Sequence, residues 1–112
     1  MLTGLSDTLE RYMDLLSARQ KLVASNIANA DTPGYKTKDI DFQSELRLAA
    51  AGGSPQVLEV EGLAVKNDGN NVSVDRESRL LAENDIRFNL ASNLLRSEIQ
   101  AIRAALQSGS NS

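Results

Sequence analysis

The segment Asn26-Ile-Ala-Asn-Ala-Asp-Thr-Pro-Gly-Tyr-Lys36 separates a helical stretch before it from an irregular stretch after it. Proline cannot continue a helix and glycine favours turns, so Pro33 and Gly34 predict a helix stop. Asn26 and Asn29 lie on one helix face just before the stop, where asparagine can bond free carbonyls and turn amides. Tyr35 can fold back onto the helix, with its hydroxyl on a polar partner. We therefore predict that this segment ties the first helix to the following turn.

Upstream of the stop, the hydrophobic spacing predicts one helix over residues 5–31. The apolar residues that recur every seven positions are Leu2, Leu9, Leu16, Val23 and Ala30, and Leu5 and Tyr12 fill the second position of the first two repeats. This heptad-like spacing favours packing against another helix. Ser6 is a candidate N-cap.

The C-terminal part repeats the pattern and predicts a second long helix over residues 75–107, followed by a frayed tail at 108–112. Its seven-residue repeat consists of Leu81, Phe88, Leu95 and Ile102. Asp75 is a candidate N-cap, and the glycine and serines at the end favour fraying. The spacing indicates a seam that pairs with the first helix.

The middle of the chain, residues 32–74, carries little aromatic or branched bulk. A short helix is predicted from Phe42 to the pair Gly52-Gly53, and short strands over residues 56–60 and 63–66. Asn67-Asp-Gly-Asn-Asn71 is a strong turn signal. We expect an elongated all-α fold in a single domain, 1–112. Its long N- and C-terminal helices pair as a coiled-coil-like hairpin, with a short irregular middle that includes a possible small β-hairpin.

The composition argues against several functions. The 112 residues include no cysteine, histidine or tryptophan, so a disulfide, a Cys/His zinc site and imidazole catalysis are excluded. The net charge of −3 argues against nucleic acid as the main partner. No apolar run is long enough to span a membrane, and the first residues lack a Sec-type signal pattern. We expect no enzyme activity, no cofactor and no metal.

Two segments carry carboxylates that could in principle bind a cation. Asp39, Asp41 and Glu45 could bind a cation or support a carboxylate-dependent hydrolase, but the sequence supplies neither a nucleophile nor a cleft. Asp68-Gly-Asn-Asn lacks the twelve-residue ligand spacing of a calcium loop and is interpreted as a turn.

The two helices suggest self-association. A hairpin buries only one stripe of each helix, and the middle segment is too poor in apolar residues to cover the rest. We therefore predict that further helices come from other chains.

The opening segment also resembles the N-terminal signature of bacterial flagellar rod and hook proteins, in which an ANxxTxGY-type stretch follows an amphipathic helix. The resemblance continues in Asp39-Ile-Asp-Phe42, Lys66-Asn-Asp-Gly-Asn-Asn-Val72, Asp75-Arg-Glu77 and Leu81-Ala-Glu-Asn84. Small size and the missing large central domain make the chain most similar to a proximal rod subunit. Ser73 and Ser78 depart from the pattern, which has an acidic residue and a methionine there.

The resemblance implies a structural subunit of the flagellar basal body. Such proteins leave the cell unfolded through the flagellar type III export gate and polymerise through their terminal helices into the periplasmic rod, which transmits torque. Implied partners are other rod proteins, the adaptor that joins the rod to the membrane ring, and further copies of the chain. The alternative is a small helical adaptor or chaperone-like module that uses the same stripes on a single partner.

Candidate assembly residues follow from these arguments. The bend after the first helix is expected to contact an adjacent subunit through Asn26, Asn29, Pro33, Gly34, Tyr35, Asp39 and Phe42, although an internal turn would need most of the same residues. The helical seam adds Leu81, Phe88, Leu95 and Ile102.

Overall fold

The computed structural model describes residues 4–48 and 53–110, with only the backbone described at Ser110. The elements in chain order are α1 (Gly4–Ala28), β1 (Lys38–Ile40), α2 (Phe42–Arg47), β2 (Val57–Glu59) and α3 (Val74–Ser110). The described chain measures 71 × 25 × 17 Å. The predicted elongated, mainly helical fold with two long terminal helices is therefore confirmed.

The two long helices pack against each other in antiparallel directions. Near the base of the pair Asn26 bonds Glu77, and further along Asn84 bonds Gln20 at 3.2 Å. Continuing this register places Gly4 level with Gln100. Since α3 has 37 residues and α1 has 25, α3 extends past the first described residue of α1.

The helix ends differ from the predicted ones. The first helix begins at Gly4, so Ser6 lies inside it and is buried instead of capping it. The cap of α3 is Ser73, whose Oγ accepts the Arg76 N–H at 3.2 Å, and Asp75 lies in the first turn. The predicted fraying from residue 108 is wrong for 108–110, which are helical. The last two residues of that predicted tail lie outside the described residues.

The middle segment contains a two-stranded antiparallel sheet, in which β1 pairs with β2 so that Asp39 lies opposite Leu58. The predicted strand at 56–60 is thus confirmed in its central residues. Its partner was predicted wrongly, because residues 63–66 form no strand and β1 was not foreseen. The short helix begins at Phe42 as predicted but ends at Arg47. Its predicted end at Gly52 lies outside the described residues.

The core is small and lies where α1 meets β1 and α2. It consists of Leu15, Leu16, Ile40 and Phe42, flanked by Tyr12, Leu22 and Leu46. The Tyr12 and Phe42 rings meet edge to face, with centroids 5.4 Å apart. This geometry adds to the stabilisation from burying the two rings.

The heptad prediction for α1 is right at its centre and wrong at its start. Leu16 and Val23 are buried, but Leu5 is 56% exposed. Leu2 lies outside the described residues. Ala30 lies beyond the helix, which ends at Ala28.

On α3 the most deeply buried positions are polar or small. Glu77, Asn84 and Ala91 recur every seven residues and are almost fully buried. The predicted seam residues lie four positions further along the same repeat, one helical turn away: Leu81, Leu95 and Ile102 are half-buried, and Phe88 is 36% exposed. The apolar repeat therefore identified one half of the contact stripe of α3, and polar residues supply the other half.

Candidate functional site

Two motifs that are far apart in the sequence meet as one unit, which we call the loop junction: residues 29–37 against residues 66–72. Its centre is Asn70, which is fully buried. The Asn70 amide donates to the carbonyls of Asn29 at 2.9 Å and Thr32 at 2.8 Å, and its oxygen accepts from Val72 N–H at 2.8 Å. Asn70 therefore adds a second hydrogen bond to two carbonyls of the turn after α1, each of which also accepts a backbone N–H.

Further bonds hold the loop junction on both sides of Asn70. Asn71 accepts the Thr37 N–H at 2.7 Å through its side-chain oxygen and donates its own N–H to the Tyr35 carbonyl at 3.2 Å. Lys66 donates to the Ala30 carbonyl at 3.1 Å, and Lys36 donates to the Gly69 carbonyl. The loop of residues 66–72 thus covers the C-terminal end of α1 and the turn after it.

Backbone approaches backbone where the two loops cross. Gly34 N–H donates to the Asp68 carbonyl at 2.9 Å, and a Cβ at Gly69 would lie 3.4 Å from Gly34 Cα. Both glycines have positive φ, +76° at Gly34 and +86° at Gly69. The predicted turn at 67–71 is confirmed, with Asp68 accepting Asn70 N–H at 3.0 Å.

Gly34→Val is expected to lower the free energy of unfolding by about 1–2 kcal/mol, because valine is strained at positive φ. No atom lies within 4 Å of the added Cβ, so the cost comes from backbone strain. Urea unfolding followed by circular dichroism measures it. Pro33→Ala, which changes the exposed neighbour, is the matched control. Equal stability of Gly34→Val and the unmodified chain would contradict the positive φ.

A second polar cluster, which we call the helix-base network, joins α1, β1 and α3. The Asn26 amide donates to Glu77 Oε1 at 2.5 Å and to the Lys38 carbonyl at 2.8 Å. The Asn26 oxygen accepts from Tyr35 hydroxyl and Lys38 N–H, both at 3.1 Å. Asn26 and Glu77 are fully buried, and their mutual hydrogen bond satisfies one polar group of each. The predicted return of Tyr35 to the helix is confirmed.

Ion pairs extend the helix-base network to the sheet. The Asp39 carboxylate accepts from Arg19 at 3.0 and 2.9 Å and from Arg76 at 2.7 Å. Arg76 also donates to Glu77 Oε2 at 2.6 Å. Burial of Arg76 works to lower its pKa, but the hydrogen bonds to Asp39 and Glu77 outweigh this and raise the pKa above the usual arginine value. The guanidinium therefore stays charged, and β1 is fixed between the two long helices.

The acidic cluster proposed from the sequence is divided among separate partners. Asp39 binds the two arginines described above, and Asp41 caps α2. Hydrogen bonds from the Ser44 hydroxyl and N–H lower the Asp41 pKa below the usual range. Glu45 accepts from Gln56 N–H at 3.2 Å and lies 3.9 Å from Arg11. Each carboxylate thus holds a local element in place.

The proposed bend residues fall into two groups. Asn26, Asp39 and Phe42 are buried within the chain, whereas Pro33 and Gly34 are exposed. Asn29 and Tyr35 are half-buried, and the Asn29 amide donates to the Ser25 carbonyl at 2.8 Å, as expected of an asparagine near a helix end.

The sequence placed Asn70 and Asn71 in a turn, but it predicted no side-chain contact for them. It also predicted none for Glu77, Arg19 or Arg76, and these five residues make most of the bonds in both clusters. Four of these five lie in the blocks 66–72 and 75–77 that carry the family resemblance. Their place in these blocks was the one feature of the sequence that could have marked them as important.

The fold and both clusters define a helical structural protein. The side chains of the loop junction and the helix-base network bind the backbone and side chains of their own chain and hold two long helices in register. Within the described residues, no helix is long and apolar enough to cross a membrane.

Comparison with known proteins gives the family. Residues 7–36 match the family model described as flagella basal body rod protein. The FlgB rod protein of Escherichia coli K12 is 32% identical, over 89% of this chain and 91% of the relative. The FlgB protein of Proteus mirabilis is 30% identical over 97% of this chain and the whole relative, and that of Borrelia hermsii is 29% identical over 90% and 94%. The chain belongs to the FlgB family of flagellar basal body rod proteins, and is a structural subunit of the flagellar basal body rod.

Proposed function

We propose that the chain is a proximal rod subunit that is exported unfolded by the flagellar type III system and polymerises in the periplasm through its terminal helices, so that the assembled rod transmits torque. The observation that carries this proposal is an exposed apolar stripe on α3. Ile86, Leu90 and Leu94 follow one another at four-residue spacing and are 69%, 59% and 50% exposed. Three large apolar side chains on one helix flank indicate a protein contact surface.

The stripe lies on a flank of α3 that α1 leaves uncovered. Residues 84 and 91 face α1, and residues 86, 90 and 94 lie well to one side of them at about 100° per residue. Helices of neighbouring copies or of other rod proteins would bury this stripe. Many such contacts in parallel suit torque transmission, because the shear load is divided among them and each contact can be weak.

The small core supports the export part of the proposal. Only seven apolar residues are buried among the described ones, so part of the stabilisation would come from assembly. A chain of this kind is readily kept unfolded for export and gains stability when its neighbours bind.

The remaining site residues fit two kinds of intersubunit contact. Exposed Pro33 and Gly34 would meet an adjacent subunit at the bend, positioned by Asn26, Asn29, Tyr35, Asp39 and Phe42. The seam of α3, namely half-buried Leu81, Leu95 and Ile102 with the more exposed Phe88, would be covered further by neighbouring helices. Implied partners of the proximal rod are other rod proteins, the adaptor to the membrane ring, and the export gate.

Leu90→Asp tests the proposal. The side chain is mostly exposed in the single chain, so the helical signal of the isolated protein should stay unchanged. In the assembly, a buried unpaired carboxylate would be costly. We expect the variant to be exported but absent from isolated basal bodies, and the cells to be non-motile.

The matched control is Asn89→Asp, which places the same charge on the exposed neighbouring residue. Normal motility with Leu90→Asp would contradict burial of the stripe. A chain that is never found in basal bodies, but forms a defined one-to-one complex with another protein, would instead support the adaptor alternative.

A further inference from the structure

The two long helices carry exposed charges of opposite sign near the same end of the molecule. On α1, the residues Asp7, Glu10 and Asp14 are exposed and share one face through three- and four-residue steps. We call this face the acidic ridge. Arg11, the basic residue between them, is half-buried and turned toward Gly53 and Glu45. The acidic ridge is thus not neutralised by this arginine.

On α3, a shallow groove carries the opposite charge. Its exposed polar residues Arg96, Gln100 and Arg103 are spaced by four and three residues, and we call them the basic ridge. Ser92, Leu95 and Ile99 complete the lining. Within residues 4–48 and 53–110, the ion pairs involve Arg11, Arg19 and Arg76, and neither ridge takes part in one.

We infer that the basic ridge of one copy binds the acidic ridge of the next copy. This inference rests on the proposed function and names the partner of one helix flank. The spacings match in reverse order, as two antiparallel helices require. When Asp14 lies opposite Arg96, a step of four brings Glu10 opposite Gln100, and a further step of three brings Asp7 opposite Arg103. One alignment therefore satisfies all three contacts.

The alignment also sets an axial shift between the copies. Within one chain, Gln20 meets Asn84, and the same register puts Asp14 level with Leu90. Pairing Asp14 with Arg96 of a parallel copy moves that copy by six residues, about 9 Å along the helix axis. A head-to-tail contact with an axial shift does not close into a flat ring but continues as a helix. The charges would determine which copy binds and in which axial register. The apolar side chains of the groove would bury additional surface in the contact.

Cysteine cross-linking in isolated basal bodies tests this register, because the chain has no cysteine of its own. The test variant carries Asp14→Cys and Arg96→Cys. The control carries Asp14→Cys and Arg103→Cys, which is one heptad out of register and therefore about 10 Å further along the helix, beyond disulfide reach. We expect oxidation to give a ladder of covalent multimers of this chain, at least fivefold stronger in the test variant.

A charge exchange provides the second measurement. Asp7→Arg with Asp14→Arg should lower the amount of the chain in basal bodies at least tenfold, because like charges then face each other. Adding Arg96→Asp and Arg103→Asp should restore it to within twofold. Equal ladders in the test and control variants, cross-links to a different protein, or failure of the exchange to restore incorporation would each overturn the inference. Absence of the unmodified chain from basal bodies would instead refute the proposed function.

Discussion

Glu77→Ala is expected to lower the free energy of unfolding by about 3 kcal/mol, because it breaks a buried hydrogen-bonded ion pair from one side. Glu77 is fully buried. Its two oxygens accept from Asn26 at 2.5 Å and from Arg76 at 2.6 Å. Without them the Asn26 amide loses one of its two acceptors, and Arg76 keeps only Asp39. Urea unfolding followed by circular dichroism gives the difference in free energy.

Two control variants distinguish the effect of burial at residue 77 from the effect of the negative charge. Glu83→Ala removes the same group from an exposed site on the same helix and should change stability by less than about 0.5 kcal/mol. Glu77→Gln keeps an acceptor oxygen for Asn26 but removes the charge that faces Arg76, so its effect should fall between the two. A loss with Glu77→Ala no larger than with Glu83→Ala would show that the helix-base network does not hold the helices.

A double-mutant cycle with Asn26→Ala measures the contact itself. Since Asn26 and Glu77 share one hydrogen bond, the double variant should lose less stability than the two single variants taken together. Asn26 also binds Lys38 on β1, so its single variant should additionally loosen the sheet. Strict additivity would contradict a direct bond between the two side chains.

The polar half of the α3 stripe shows where sequence patterns stop being informative. Leu81 and Leu95 could be placed on the contact face because apolar residues at seven-residue spacing indicate burial. Glu77 and Asn84 lie four residues before the seam positions 81 and 88 in the same repeat and are buried more deeply. A glutamate in a helix is expected to be exposed to solvent unless its partners are known. Here one partner is Asn26, which is 51 positions away in the sequence, and the other is the neighbouring Arg76. Burial of such a residue follows from the tertiary fold.

The first strand was missed for a related reason. Lys38-Asp39-Ile40 is too short and too polar to give a period-two pattern. It is extended because Asn26 holds Lys38 at both its N–H and its carbonyl, and because two arginines hold Asp39. By contrast, the turn at Pro33-Gly34 depends on local backbone chemistry, and the sequence alone predicted the end of α1 three residues late, at residue 31 instead of Ala28. Local signals thus locate the ends of the helices within a few residues, whereas long-range polar bonds determine the pairing.

Asn70→Ala is expected to cost about 2–3 kcal/mol, because one fully buried side chain makes three hydrogen bonds to backbone groups. Two of those groups are the carbonyls of Asn29 and Thr32, which lie in the turn just after α1. Losing the amide should loosen both loops of the loop junction and increase amide hydrogen exchange at Asn71 and Val72. Asn67→Ala, an exposed substitution in the same turn, should change stability by less than about 0.5 kcal/mol.

Asn70→Asp tests whether this position needs the hydrogen bonds that the amide donates or only a side chain of this size. Aspartate has nearly the same shape and keeps an oxygen for the Val72 N–H, but it places a carboxylate against the two carbonyls where the amide donated. If donation to the end of α1 is the role of Asn70, this variant should be at least as unstable as Asn70→Ala, even though it leaves no cavity. Stability close to that of the unmodified chain would mean that the side chain only fills space between the loops. The loop junction would then depend on Asn71 and on the contact between Gly34 and Gly69.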